Sequence, residues 1–229
     1  MATKVSGLLV SSVAFLYSAL AQAHVSIASG PAFANTSQEV TFGVGHGCEG
    51  ADTYSVRIEI PAGVTSVRPE SNSFGKATVE KDDAGTITAV IWQKAELDVL
   101  PADVEYYKLT MRLKAPDQPF TKLYFPAYQV CRAADGTMTN VDWVAMTETA
   151  DAEPAPALSV LPARRAGWNK YTVPSAVADL GGFFNDALIV WRGSAAFSAN
   201  PTTLELIKGT DGVSELSQLA AGDEIWVKY

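Results

Sequence analysis

The sequence predicts an antiparallel β-sandwich followed by a small α+β unit, and two observations lead to this fold class. From residue 24 to about residue 150, short runs alternate apolar and polar side chains with a period of two, as strands with one buried face do. Turn sequences rich in proline, glycine and aspartate separate these runs, and no long helical pattern occurs among them. Roughly seven short strands in this arrangement favour a mainly β sandwich.

Two runs show the alternation most clearly. Tyr54, Val56, Ile58 and Ile60 alternate with polar residues, and residues 107–113 repeat the pattern. We also expect strands at 39–44, 86–92, 123–130 and 140–144. The turn sequences between them include 61–63, 82–85 and 134–136.

The composition changes after residue 150. Residues 150–163 contain prolines among alanines, which resist both helices and sheet ladders, so we expect a linker between a domain at 24–149 and an extension at 164–229. Within the extension we expect strands at 187–191 and 224–229, and short helices at 201–207, capped by Asn200 with Pro201 in the first turn, and at 214–219. We interpret its large aromatic residues as core or interdomain packing: Trp168, Phe183, Phe184, Trp191 and Trp226.

Residues 1–23 have the pattern of a secretory signal peptide. Lys4 gives a positive start, residues 5–20 are mostly apolar, and Ala21-Gln22-Ala23 is a small-x-small cleavage site. Cleavage between Ala23 and His24 would release a periplasmic or secreted protein. No later stretch approaches the roughly 20 apolar residues of a membrane helix, so we expect no membrane insertion.

The charge of the chain narrows the class of partner. The leader holds one of the 17 basic residues and none of the 25 acidic ones, which leaves 16 basic against 25 acidic residues and a formal charge of −9. Nucleic acids and anionic membranes both favour positive surfaces, so neither is an expected partner. A cationic ligand agrees better with this balance.

The two cysteines, Cys48 and Cys131, predict one disulfide in an oxidising compartment. A bridge that closes a loop of about 80 residues would stabilise the fold by roughly 4 to 5 kcal/mol in the chain-entropy model. The competing interpretation is a thiolate metal site formed by Cys48 together with the nearby His46.

His24 would become the first residue of the mature chain. A terminal histidine can offer its free α-amine and a ring nitrogen to the same metal ion, which no internal histidine can do. The alternative is that His24 is first only because some residue must follow the cleavage site. The glycine-rich loop at 44–50 carries His46 and Glu49, whose side chains could converge on a metal ion or could simply be hydrogen-bonded and solvated.

Several separated motifs together resemble the YcnI-like family, also called the DUF1775 domain. They occur in the family's order over residues 24 to about 148, and they are His24-Val25-Ser26-Ile27, His46-Gly47-Cys48-Glu49-Gly50, the run at 56–64, the run at 123–131, and Val141-Asp142-Trp143. The resemblance implies an exported, immunoglobulin-like β-sandwich that binds Cu(II) through its amino-terminal histidine.

The resemblance also implies which residues form the copper site. By position they are His24, Glu49 and Trp143, with Glu39 as the fallback for the carboxylate. Nitrogen and carboxylate donors suit Cu(II). The indole nitrogen of a tryptophan is a donor only, so Trp143 is expected to shield the ion from solvent, with a cation–π contribution, rather than to ligate it.

The expected function is therefore copper trafficking or homeostasis without enzymatic activity. Expected partners are the copper ion, other periplasmic copper carriers and a membrane copper transporter. One alternative is an oxidative copper enzyme with a brace formed by His24 and His46, and another is a metal-free interaction sandwich. Serine hydrolysis is disfavoured, because a catalytic triad needs a histidine base and the chain has only 2 histidines.

Overall fold

The computed structural model describes residues 24–147 and 153–229, so the predicted leader at 1–23 lies outside the described residues. The strands of the first unit are β1 Val25–Ile27, β2 Ala32–Phe33, β3 Ser37–Val44, β4 Asp52–Glu59, β5 Thr65–Pro69, β6 Lys76–Lys81, β7 Ile87–Gln93, β8 Tyr107–Lys114, β9 Thr121–Tyr124, β10 Ala127–Arg132, β11 Met138–Trp143 and β12 Ala157–Leu161. A 3₁₀ turn at Glu96–Asp98 lies between β7 and β8. The second unit contains β13 Trp168–Thr172, α1 Leu180–Phe184, β14 Ile189–Arg192, β15 Ala195–Phe197, α2 Pro201–Lys208, β16 Ser214–Glu215 and β17 Glu224–Lys228.

Two antiparallel sheets form most of the first unit. One has the strand order β1-β3-β8-β5 and the other β11-β10-β4-β7-β6. Their inward side chains share one core, whose largest fully buried members include Trp92, Phe42, Phe125, Ile58, Leu109, Met111 and Leu113. The predicted antiparallel β-sandwich is therefore confirmed, and the two clearest alternating runs are β4 and β8.

Part of the stretch expected to be a linker is a strand. β12 pairs in parallel with β2 and antiparallel with β9, and its Leu158 and Val160 are fully buried in the core of the sandwich. Pro156 and Pro162 flank this strand on either side, so neither proline removes a ladder hydrogen bond from within it. The first unit therefore continues to Leu161 rather than ending at residue 149.

The predicted strand at 123–130 is in fact two strands in different sheets. β9 ends at Tyr124 and pairs with β12, whereas β10 begins at Ala127 and pairs with β4 and β11. Pro126 lies at the break, because a proline has no N–H to contribute to a ladder.

The second unit is a five-stranded sheet, in the order β13-β17-β14-β15-β16, with two short helices. The predicted helix at 201–207 is confirmed as α2, and Asn200 caps it by accepting hydrogen bonds from the backbone N–H groups of Thr202 and Thr203. The predicted helix at 214–219 is wrong. That segment is extended, since the N–H of Ser214 and the N–H of Leu216 donate to carbonyls on or next to β15.

The two units meet at an aromatic contact. Phe120, in the loop before β9, is 3% exposed and packs against Tyr171, Phe183 and Phe184 of the second unit. The predicted packing role of Phe183 and Phe184 is confirmed. It is wrong for two of the tryptophans, since Trp168 is 45% exposed and Trp226 is 49% exposed. No helix of residues 24–147 or 153–229 has the length and apolar composition needed to cross a membrane.

Candidate metal site between the edge strands

His24 directly precedes β1, which is an edge strand of the four-stranded sheet. β1 pairs with the end of β3, where Val25 is opposite Val44, so His24 lies beside the loop that begins at Gly45. Val25 is buried, whereas His24 is half-buried. The buried Val25 therefore anchors the chain directly after His24, while the imidazole stays partly accessible to solvent.

Trp143 is the last residue of β11, which is an edge strand of the five-stranded sheet. Its ring contacts the His24 ring edge to face, with 5.3 Å between the ring centroids and 74° between the planes. Trp143 is 4% exposed and belongs to the core of the sandwich. The structure thus brings these two predicted site residues together, one from the edge of each sheet.

Gln129 is a site residue that the sequence analysis missed. It lies on β10 and is 1% exposed. Its Oε1 accepts a 3.1 Å hydrogen bond from the indole Nε1 of Trp143, and its Nε2 donates at 2.8 Å both to the carbonyl of His46 and to Oγ1 of Thr53. One buried amide therefore fixes the position of Trp143 relative to the His46 loop.

The alternation within β10 indicates that the Gln129 side chain points inward. Ala127, Gln129 and Cys131 are all buried, whereas the residues between them are half-buried. Gln129 is thus a polar side chain on the inward face of a strand, and such a group needs hydrogen-bond partners inside the protein. Its partners come from other segments of the chain, which the sequence alone does not identify.

Cys48 and Cys131 form the predicted disulfide. The alternative of a thiolate metal site is therefore wrong for this structure, because both sulfurs are bonded to each other. The bridge attaches the His46 loop to β10, two residues from Gln129. Gly47 is required there, since a Cβ at that position would lie 1.8 Å from the carbonyl oxygen of Ala51.

Glu49 lies at the tip of a tight turn that follows the disulfide. Cys48 and Ala51 exchange two backbone hydrogen bonds, and the central residues Glu49 and Gly50 have φ values of 51° and 85°. Positive φ at both central residues is the signature of a type I′ turn. The turn directs Glu49 into solvent, and its carboxylate makes no ion pair with any residue in the described ranges.

The half-buried ring of His46 is oriented by its own loop. Nδ1 of His46 contacts the carbonyl oxygen of Gly47. Since a carbonyl can only accept, this contact is a hydrogen bond in the tautomer that carries its proton on Nδ1, and that tautomer has the lone pair of the ring on Nε2. Histidines that bind metals commonly donate their second ring N–H in this way.

The structure separates Glu39 from His24. Glu39 is exposed near the far end of β3, six residues before Gly45, which corresponds to about 20 Å along the strand. Among the described residues there is no cluster of three or more His, Cys, Asp or Glu side chains that could hold a metal ion. His24, His46 and Glu49 therefore do not converge as a three-residue set here.

A buried ionic network supports the base of the turn. Asp52 is fully buried directly after Ala51, and its carboxylate accepts hydrogen bonds from Nζ of Lys94 at 2.6 Å, from the hydroxyl of Tyr107 at 2.7 Å and from the backbone N–H of Leu100 at 2.7 Å. Burial raises the pKa of Tyr107, and so does its hydrogen bond to the Asp52 carboxylate. This network was also missed by the sequence analysis.

The sequence model of the DUF1775 family, which is described as a domain of unknown function, matches residues 24–160. The chain belongs to the DUF1775 family. The match includes β12 up to Val160, which agrees with the extent of the first unit in the structure, and it contains His24, Gln129 and Trp143.

Two solved structures are similar to this DUF1775 protein. One is an uncharacterized protein from Nocardia farcinica that is described as having an immunoglobulin-like fold. The two sequences are 24% identical, the alignment covers 60% of this chain and 98% of the Nocardia chain, and the TM-score is 0.49. The other is a DUF4466 family protein from Parabacteroides merdae. The two sequences are 9% identical, the alignment covers 66% of this chain and 45% of the Parabacteroides chain, and the TM-score is 0.25. A comparison with curated proteins gives no match.

Proposed function

We propose that this DUF1775 protein binds Cu(II) through His24 after removal of residues 1–23, and that it serves in copper trafficking or homeostasis outside the cytoplasm without catalysing a reaction. The observation that carries the proposal is the contact of the half-buried His24 ring with the buried ring of Trp143. Cleavage before His24 would free the α-amine next to an imidazole that is already positioned. Its partners would be exported copper carriers or a membrane copper transporter.

The types of donor suit this metal. His24 would offer two nitrogens, and nitrogen and carboxylate oxygen are suitable donors for Cu(II). Because the indole N–H of Trp143 is already donated to Gln129, Trp143 offers its ring rather than a nitrogen, and it would exclude water from one side of the site. Glu49 is the proposed carboxylate, since it is exposed and is not engaged in an ion pair within the described residues, although it forms no cluster with His24 and His46 in this structure.

The decisive experiment compares two forms of the protein. The mature chain beginning at His24, and the same chain with one alanine added before His24, are titrated with Cu(II) and followed by electron paramagnetic resonance. The added alanine converts the chelating amine into a peptide nitrogen and leaves the imidazole unchanged. We expect one-to-one binding by the mature chain and its loss in the extended chain.

The other outcomes have distinct meanings. Equal binding by both forms would move the site away from the amino terminus. Absence of binding by both would leave the chain as an interaction sandwich without copper. A Glu49→Gln variant tests the carboxylate separately, and unchanged affinity in that variant would remove Glu49 from the ligand set without affecting the role of His24.

A brace formed by His24 and His46 is the second candidate, and the orientation of His46 favours it. With Nδ1 engaged by Gly47, the Nε2 lone pair of His46 is available to a metal. Such a two-histidine site would suit oxidative copper chemistry. Loss of a nitrogen signal from the copper spectrum of a His46→Ala variant would support it, and an unchanged spectrum would exclude it.

A further inference from the structure

Three tryptophans lie together on the outer face of the sheet in the second unit. Trp168, Trp191 and Trp226 line a cavity of about 410 Å³ together with Gly193. This cavity belongs to the second unit and shares no residue with the His24 site. We call these three side chains the tryptophan face.

The register of the sheet explains how the three rings come to one face. In β17, Ile225 and Val227 are fully buried, and Trp226 between them points outward. Trp226 is directly opposite Trp191 on β14, and Trp168 on β13 is opposite Lys228, one alternate position along β17. The three rings therefore come from three adjacent strands and are neighbours on the surface.

Packing within the unit does not account for these rings. Ile225, Val227 and Val190 are fully buried and fill the inner side of the same strands, while Trp168 and Trp226 keep 45% and 49% of their surface exposed. A cross-strand pair such as Trp191 and Trp226 does stabilise a sheet. Contiguous exposed aromatic surface is nevertheless uncommon outside binding sites.

The charges beside the tryptophan face are mostly paired with one another. Lys170, directly opposite Trp226, forms a 2.7 Å ion pair with Glu224 on this face. Arg192 follows Trp191 and so points to the other side of β14, where it forms a 2.8 Å ion pair with Asp223. The Lys170–Glu224 pair supplies hydrogen-bond donors and acceptors to the tryptophan face but little net charge. The Nζ of Lys228 lies 5.8 Å from the centre of the Trp168 ring, which disfavours a cationic ligand.

We propose that the tryptophan face binds a neutral oligosaccharide. A pyranose ring presents C–H groups on its faces and hydroxyls at its rim, and the negative face of an aromatic ring attracts such C–H groups. Stacking on Trp168 and Trp226 would place the hydroxyls beside the Lys170–Glu224 ion pair on the same face. The net negative charge of the chain disfavours anionic polymers and anionic membranes instead. This inference is independent of the copper site.

The test uses the full mature chain and three defined probes: the hexasaccharides of β-1,4-linked glucose, N-acetylglucosamine and xylose. Binding is measured by calorimetry and by tryptophan fluorescence. We expect at least one hexasaccharide to bind, and Trp226→Ala to weaken its binding at least about 10-fold, equal to about 1.4 kcal/mol. Trp226→Phe should retain most of the affinity, because it keeps an aromatic face. Leu206→Ala, at a site 67% exposed on α2, is the matched control and should bind like the wild type.

Three results would overturn the proposal. The first is no binding of any hexasaccharide at millimolar concentration. The second is equal binding by the wild type, Trp168→Ala and Trp226→Ala, each shown by circular dichroism to be folded. The third is self-association in light scattering that Trp226→Ala abolishes, which would assign the tryptophan face to a contact between copies of this chain.

Discussion

At the residue scale, the buried amide of Gln129 joins three segments of the first unit. It accepts from Trp143 of β11 and donates to Thr53 of β4 and to the carbonyl of His46. Trp143 and Thr53 are buried together with the amide, so their polar groups depend on Gln129 for a hydrogen bond, whereas His46 is half-buried. The position of the Trp143 ring in the proposed copper site consequently depends on the Gln129 side chain.

We therefore expect Gln129→Leu to lower the free energy of unfolding by about 1 to 3 kcal/mol, because it leaves buried polar groups without partners. Urea unfolding measures the loss, and the indole N–H resonance of Trp143 should broaden in the NMR spectrum. Asp142→Asn, exposed beside Trp143, is the control and should change stability by less than about 0.5 kcal/mol. An indole resonance that does not broaden in Gln129→Leu would contradict this role.

The ion pair of Lys94 and Asp52 supports a second prediction at this scale. Both side chains are almost fully buried, at 4% and 0% exposure. Lys94→Met should cost about 3 to 5 kcal/mol, because the Asp52 carboxylate would remain buried without its counter-charge. The double variant with Asp52→Asn should recover much of this loss, and a double-mutant cycle measures the coupling. Additive effects of the two changes would contradict the prediction.

Gln129 and Asp52 also show where sequence reasoning stops. The alternation in β10 and β4 predicts which side chains point inward, but the partners of Gln129 and Asp52 lie 14 to 83 residues away along the chain. A period-two pattern carries no information about such pairings. His24 and Trp143 were predicted as neighbours only because the family resemblance supplied the pairing.

At the element scale, the helices show which local sequence patterns are sufficient to predict a helix. Asn200 and Pro201 identified the start of α2, because a cap and a first-turn proline act through the backbone nearby. α1 was missed since Gly181 and Gly182 occupy two of its five positions and glycine disfavours helices. The segment at 214–219 has leucines spaced as in a helix, yet its first residues form β16 and pair in parallel with β15.

Asp179 caps α1 and contributes a pH dependence. Its pKa is lowered, first by the hydrogen bond from the N–H of Gly182 and then by the ammonium of Lys122 on β9. A lowered pKa in the folded state means that the stabilisation is present above about pH 4 and is lost as the pH falls through the folded-state value. The cap is therefore strongest at neutral pH.

We expect Asp179→Ala to cost about 1 kcal/mol at pH 7, the usual value of such a cap. Asp179→Asn should keep most of the cap, because asparagine also accepts from the helix, but its stability should not vary with this titration. Urea unfolding at a series of pH values measures both variants. If the difference in unfolding free energy between the wild type and Asp179→Ala persisted unchanged in strong acid, the assignment of Asp179 as a titrating cap would be refuted.

At the scale of the whole molecule, Phe120 connects the two units. Its φ of 64° is in the left-handed region, which bulky residues rarely adopt, and its N–H donates to the carbonyl of Val160 at 2.7 Å. The ring is buried among Tyr171, Phe183 and Phe184 of the second unit. Burial of the ring therefore outweighs the strain of its backbone.

We expect Phe120→Ala to destabilise the protein by about 3 to 5 kcal/mol, because a large aromatic side chain is removed from a packed core. Phe120→Gly removes the same ring but relieves the backbone strain, so it should be less destabilising than Phe120→Ala, by up to about 1 kcal/mol. Thermal unfolding measures both. If the glycine variant were clearly the less stable of the two, the strain argument would be wrong.

The position of Phe120 also bears on how such a chain could change during evolution. A chain ending before residue 164 would expose the rings of Phe120 and Phe33 to water, and a chain beginning there would lack one of the buried aromatic rings of its core. We therefore expect each half to be less stable alone than in the full chain. Loss or transfer of the extension would require compensating substitutions on both sides of the junction.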